Sequence, residues 1–476
     1  MNSDRPNILW ICSDQQRFDT LGCYGNAFVR TPNIDRLAQG GVLFEYAYSQ
    51  STICTPSRSS FLTGRYPRTT ACRDNGRSIP EHEVLVTKLL ADAGYTCGLS
   101  GKLHVSACHP SICKAREPRI DDGYHEFHWS HHPPQHWPTN EYHHWLRGRG
   151  AAYGVREFAD SPYVRLGMPA EHHQTTYCAE MAINFIEANA GRGQPWLFSV
   201  NFFDPHHPFD PPEEFLERYR AVLDDIPLPR FRPGELDDKP PWQKRAHTGN
   251  KEYPFERMSE RDHRWLRAAY WAMCDLIDVQ VGRMLEALER TGQIDDTIVI
   301  YMSDHGEMLG DHGIYLKGPH FYEPAVHVPL IVSWPGKVAP RRSSALVELV
   351  DLAPTLLDMC GLDIHPGMQG ASVWPLLRGD QPVDRHRDDV YAEFYRGDRP
   401  GDPAPHTTMV RTNRYKLTVA HGRGIGELYD LENDPGESYN LWADPRYAGV
   451  KMDMLIRMTD RMAYTCDPLP PKRAPW

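Results

Sequence analysis

Five short apolar runs, each stopping at polar or charged residues, limit this chain to few architectures. They are NILWICS (7–13), YTCGLS (95–100), WLFSVNFF (196–203), TIVIYMS (297–303) and VPLIVSW (328–334). Runs of this kind, bounded by turn signals, read as buried parallel strands. Helical patterns alternate with them. Thr31 and Pro32 open one as N-cap and first-turn proline, and Gly40-Gly41 closes it. Others cover 81–93 and 175–190. The longest, 264–290, places Trp265, Ala269, Met273, Leu276, Ile277, Val281, Leu285 and Leu288 at helical spacing. Strands alternating with helices predict an α/β domain with a mostly parallel mixed sheet flanked by helices.

Beyond Asp388 the texture changes. VYAEFY, HTTMVRT, YKLTVAH and GELYDL are short runs between turn residues, the pattern of a small antiparallel sheet. The expected division is a catalytic domain over 1–380 and a C-terminal α+β domain over 381–476, ending in the Pro-rich tail DPLPPKRAPW. At 476 residues the chain is long enough for both. Two His/Trp/Pro-rich loops, 108–150 and 205–253, are too long for plain connectors and are expected to shape a cleft.

A formal net charge of −11 argues against nucleic acid as a partner, although a pocket's local field can still attract a small anion. No run of eighteen apolar residues provides a membrane span. The start, MNSDRPNILWICSD, lacks the basic and long apolar regions of a secretory signal. With Met1 as native start, the expectation is a cytoplasmic protein acting on a small imported substrate. Eleven cysteines without regular spacing agree with free thiols in a reducing compartment. The tail could reach a neighbouring subunit in a homo-oligomer.

In open α/β sheets ligands gather beyond the carboxyl ends of the strands. Here those ends deliver Asp14-Gln15, Gly101-Lys102-Leu103-His104, Asp204-Pro205-His206-His207-Pro208 and Asp304-His305-Gly306. Asp14, Asp304 and His305 form a divalent-metal set, since carboxylates suit hard ions and imidazole also tolerates manganese or zinc. Asp14 and Asp304 could equally cap following helices. A zinc pair of His305 with His312 rests on a weaker spacing. Trp129, Trp137 and Trp145 could stack on a substrate ring or simply pack their loops.

The stretch STICTPSRSSFLTGRYP narrows these alternatives. Cys54-Thr-Pro-Ser-Arg58, continued by SSFLTG, resembles the C-x-P-S-R-x-x-x-L-T-G signature of the type I sulfatases. The resemblance runs along nearly the whole chain, through PNILWICSDQQ, GKLH, DPHHPF, SDHGEMLGDHG, LKGPHFYEPAVHVPLIV and ELYDLENDPGESYNL. It implies the alkaline-phosphatase superfamily fold and a sulfuric ester hydrolase. It further implies that a maturation enzyme oxidises Cys54 to Cα-formylglycine, whose hydrate is the nucleophile beside a divalent metal.

By the same resemblance Arg58, Lys102 and Lys317 screen an anionic sulfate ester, His104 is the base, and His206 acts near the leaving oxygen. Asn75 and Arg73 contact substrate; for Arg73 a loop salt bridge is an equal alternative. The metal set becomes Asp14, Gln15, Asp304, His305 and residue 54, with calcium expected and magnesium or manganese compatible. Many members carry Asp-Asp and Asp-Asn where this chain has Asp14-Gln15 and Asp304-His305. That pairing is similar to choline sulfatases and phosphonate monoester hydrolases, which makes phosphonate monoester or phosphodiester hydrolysis the alternative. GKLH, which the phosphonate hydrolases lack, favours sulfate esters. A non-catalytic binding protein would not need so complete a set of acids, bases and cations.

Overall fold

The computed structural model describes residues 5–134, 137–395 and 405–466; the Pro-rich tail lies outside the described residues. The main sheet has nine strands. They are β1 (Asn7–Ser13), β2 (Val42–Tyr48), β3 (Thr96–Gly101), β4 (Glu126–Trp129), β5 (Trp196–Asn201), β6 (Thr297–Ser303), β7 (His327–Val328), β8 (Leu330–Ser333) and β9 (Arg341–Glu348). Their order is β9-β2-β8-β6-β1-β5-β3-β4, with β7 beside β2.

The centre is parallel: β1 pairs with both β5 and β6, and β3 with β5 and β4. The run 328–334 departs from the parallel expectation. It splits at Pro329, which has no N–H for a ladder, and β8 runs antiparallel to both β2 and β6. Strands β2, β4 and β9 lay outside the sequence reading. VLFEYAY and RRSSALVE mix polar residues into their apolar runs, because these strands sit toward one margin of the sheet.

Both faces of the sheet are covered, as a central parallel strand requires. Ile8, Trp10 and Cys12 pack with one hydrophobic cluster, and Leu9 and Ile11 with another. The first face is covered by α2 (Cys54–Thr63), α3 (Val86–Asp92) and α6 (Leu352–Met359). The second is covered by α1 (Pro32–Gln39), α4 (Gln174–Asn189) and α5 (Glu260–Arg290). All eight apolar positions predicted along α5 are buried, and a Ser259–Asp262 capping box starts the helix. Helix α3 is shorter than the 81–93 expected.

Thr31 occupies the N-cap of α1 without capping it through its side chain. Asp278 of α5 does so instead, accepting from Asn33 N at 3.0 Å and Ile34 N at 2.8 Å.

The four C-terminal runs form a second, antiparallel sheet from β10 (Val390–Tyr395), β11 (His406–Arg411), β12 (Tyr415–Ala420) and β13 (Ile425–Asp430). Helix α7 (Ala448–Tyr464) lies on it through Met454 and Met458, which join Val410, Leu417 and Leu428. Among the described residues, no helix is long and apolar enough to cross a membrane.

Candidate active site

Five strand ends meet at one edge of the main sheet. β1 leads into Asp14, β3 into Lys102 and His104, β5 into Asp204 and His206, and β6 into Asp304 and His305. β2 runs through 49–53 into α2, with Cys54 as the helix's first residue. Neither Asp14 nor Asp304 caps a helix. Ligand atoms of Asp14, Cys54, Asp304 and His305, all buried, lie within 4.8 Å of one another.

Arg58 holds this cluster together. The Cys54-to-Arg58 spacing is one helical turn, so both side chains leave α2 near its N-terminal end. Its guanidinium donates from Nε to Asp304 Oδ2 at 2.8 Å and from Nη2 to Asp14 Oδ2 at 3.0 Å. From Nη1 it donates to Lys102 O at 2.8 Å. Lys102 pairs with Asp14 and points Nζ at Cys54 Sγ, 3.4 Å away. Gly101 makes that approach possible. Its φ is +95°, and a Cβ there would meet Asn201 O at 1.9 Å.

Cys54 Sγ is 3.1 Å from His305 Nε2 and 3.6 Å from Asp14 Oδ1. Burial and Asp14 push its thiol up, but Lys102, Lys317 and His305 outweigh them and bring it down to about 6. Burial likewise opposes ionisation of Asp14, yet the cations Lys102, Arg58 and Lys317 hold that carboxyl well below its ordinary range. Residue 54 therefore sits in a positive field at a helix N-terminus, where developing negative charge is favoured.

The expected histidines surround this point. His104, at φ +55°, faces Thr55 Oγ1 through Nε2 at 3.2 Å. Its N–H and that of Val105 donate to the buried Glu117, which also accepts from Trp129 Nε1. His206 donates from Nδ1 to His207 O at 2.6 Å. Burial, reinforced by neighbouring cations, holds His104, His206 and His207 well below the ordinary histidine range, so all three are neutral. Lys317 donates to the Gln15 amide oxygen. Asn75 accepts from Thr55 N at 2.9 Å, beside Cys54. Arg73 is exposed and lies over the Tyr395 ring, with its guanidinium donating to Arg68 O.

His312 binds Glu235 and stacks on Tyr322, apart from the cluster. Trp129 and Trp137 pack edge to face in the buried core, and Trp145 packs on Tyr177 and beneath Arg149. Sequence reasoning passed over His131, His132, Glu117 and Glu307. His131 packs edge-on against His104, and His132 faces His206. Their dipeptide lies in a loop already rich in histidine, which hid the signal. Glu307, three residues past Asp304 in SDHGE, was the most legible of the four.

A family model described as Sulfatase matches residues 6–362, and one described as N-sulphoglucosamine sulphohydrolase, C-terminal, matches 310–463. The chain is 32% identical to human iduronate 2-sulfatase, covering 93% of this chain and 92% of that protein. It is 28% identical to an arylsulfatase of Clostridium perfringens, covering 93% and 91%. Among solved structures, the phosphonate monoester hydrolase SpPMH from Silicibacter pomeroyi superposes with a TM-score of 0.83 at 26% identity, covering 97% and 96% of the two chains. With the buried Asp14–Cys54–Asp304–His305 cluster in place at the strand ends, these matches establish that the chain belongs to the sulfatase family of sulfuric ester hydrolases.

Proposed function

We propose that this chain hydrolyses a sulfate monoester, of an aryl, sugar or small alkyl alcohol, after a maturation enzyme has oxidised Cys54 to Cα-formylglycine. The observation that carries the reading is the cationic surround of Cys54 at the start of α2: Lys102 Nζ stands 3.4 Å from its Sγ, Arg58 pairs with Asp14 and Asp304 of the same cluster, and the charge of Lys317 acts on the thiol. Once formed and hydrated, the aldehyde at residue 54 would supply a nucleophilic oxygen.

The donor set fits a divalent cation. Asp14 and Asp304 supply carboxylates, and His305 turns Nε2 inward because its Nδ1 is engaged by Gly306 O at 2.9 Å. These residues, with the side chain of residue 54, would hold the ion. Calcium is the one the family implies, and magnesium or manganese would also suit these ligands. Bound there, it would add positive charge beside the sulfate oxygens.

The remaining work falls to the chain's own side chains. Arg58 ties both carboxylates in place. Lys102 stands beside the nucleophile and neutralises charge gathering on the sulfuryl oxygens. His104, neutral and facing the N-terminal turn of α2, would take the proton the nucleophile loses. Lys317 and His206 would face the leaving oxygen.

Peptide mass spectrometry across residues 51–65, on protein produced with the maturation enzyme, tests the modification. Conversion of Cys54, lost on replacing Pro56 or Arg58, supports the reading; an intact thiol in fully active enzyme refutes it. A second reading, phosphonate monoester hydrolysis, is favoured by the Gln15 and His305 identities at the cluster and by the SpPMH likeness. Lys102 and His104, the residues of the GKLH segment, stand against it as the main activity. Kinetic comparison of an aryl sulfate with a phenyl phosphonate monoester decides, and a large preference for the phosphonate reverses the ranking.

A further inference from the structure

We infer that Glu307 is a positioning residue that fixes which end of the Gln15 amide faces the catalytic cluster. Gln15 follows Asp14 at φ +65°, a backbone conformation unusual for a residue with a Cβ. Two contacts hold it there: its N–H donates to Asp304 Oδ1 at 3.0 Å, and its carbonyl accepts from Tyr270 Oη. Beyond that backbone the side chain spans two groups of opposite character. Gln15 Nε2 donates to Glu307 Oε2, and Gln15 Oε1 accepts from Lys317 Nζ.

A carboxylate accepts only, and an ammonium donates only. Turning the amide over would set oxygen against oxygen and N–H against N–H. The sequence Glu307–Gln15–Lys317 therefore admits one orientation, with the amide oxygen toward Lys317. Glu307 is itself immobilised at the neck of the 308–316 loop. It is fully buried, and its Oε1 accepts from both Leu309 N and Leu316 N.

The family pattern often places a second carboxylate at position 15. Here the negative charge stands one side chain further back, on Glu307, and reaches Lys317 through the amide. Gln15 does not lose that carboxylate's influence; it relays it. The inference builds on the reading of this cluster as the catalytic centre, but not on which ester is cleaved.

The test is a swap of the two side chains. Glu307→Gln keeps an acceptor for Leu309 N and Leu316 N, so the loop is retained, but presents N–H groups to Gln15. Gln15→Glu sets two carboxylates face to face. The double variant Gln15→Glu/Glu307→Gln restores a donor–acceptor pair and keeps an acceptor for Lys317. Each is measured for kcat and KM on an aryl sulfate. Each is also measured, in a Cys54→Ala background, for the calcium concentration that half-saturates the rise in Tm.

Each single variant is expected to lower kcat about tenfold or more, the scale of a lost charge-assisted hydrogen bond. Glu307→Gln is also expected to raise the calcium midpoint, and the swap, which restores a negative charge beside the site, recovers most of both. A double variant no better than the worse single variant overturns the inference, as does a Glu307→Gln enzyme indistinguishable from the parent. If Glu307→Gln does not fold, Gln15→Glu alone carries the test, and a parent-like kcat in that variant overturns the inference. The melting readout needs no turnover, so a wrong substrate assignment removes the kinetic signal and leaves the calcium signal standing.

Discussion

Cys54 Sγ lies 3.1 Å from Nε2 of His305, whose other ring nitrogen is turned 2.9 Å from Gly306 O. Because a carbonyl only accepts, Nδ1 carries a proton, and the ring is held with Nε2 turned toward residue 54. A single backbone carbonyl thus sets the orientation of a ring that a nucleophile and a cation would share. Cys54→Ala is expected to reduce kcat on an aryl sulfate by at least about a thousandfold, since it removes the proposed nucleophile. Tm should change little, because the helix start is retained. Activity within tenfold of the parent would contradict the assignment.

Arg58 binds both cluster carboxylates and has 1% of its side chain exposed. Arg58→Met fills similar space but leaves Asp14 and Asp304 short of their shared cation. Removing one partner from a buried ion pair is worth about 3–5 kcal/mol of stability. Urea unfolding should show a loss of that order, with activity abolished in whatever fraction folds. A variant as stable as the parent would mean that Lys102 alone balances the site.

Gly101 bears a φ of +95° with Asn201 O where its Cβ would stand. Gly101→Ala must displace the end of β3 from β5, and Lys102 moves with it. The expected outcome is a fall in kcat of about a hundredfold, the scale of a misplacement near 1 Å, together with a lower Tm. Parent-like kcat would show that Lys102 does not need this backbone.

Asp275 of α5 accepts from Arg30 N at 2.7 Å and Tyr219 Oη at 3.1 Å, yet burial raises its carboxyl to about 7. Its folded value lies above its unfolded value of 3.8, so the folded state holds the proton more tightly. Stability from this group is complete below about pH 4 and is lost as pH rises toward 7. Asp275→Asn should flatten the decline of unfolding free energy between pH 4 and 7, measured by urea titration at several pH values. An unchanged slope would show that Asp275 ionises freely.

Legibility followed sequence locality. β1, β6, α4 and α5 were predicted within a few residues, because a buried central strand and a one-sided helix each impose a short repeat on the chain. β8 was found with the wrong direction, since an apolar tetrapeptide carries no mark of whether its neighbours run with or against it. α7 escaped notice because it buries only Met454 and Met458, too few positions for a periodic signal.

The sequence alone determined the chemistry at each strand end: which acids, cations and imidazoles exist, and the signature that singles out Cys54. Those depend on residue identity at short spacing. The tertiary structure decided how they meet. It put Arg58 between two carboxylates 44 and 246 residues away, brought Lys102 to Cys54, and stood Glu307 behind Gln15. A donor's partner depends on distance and direction in space, and residues brought together by a parallel sheet have no local sequence relation that would reveal it.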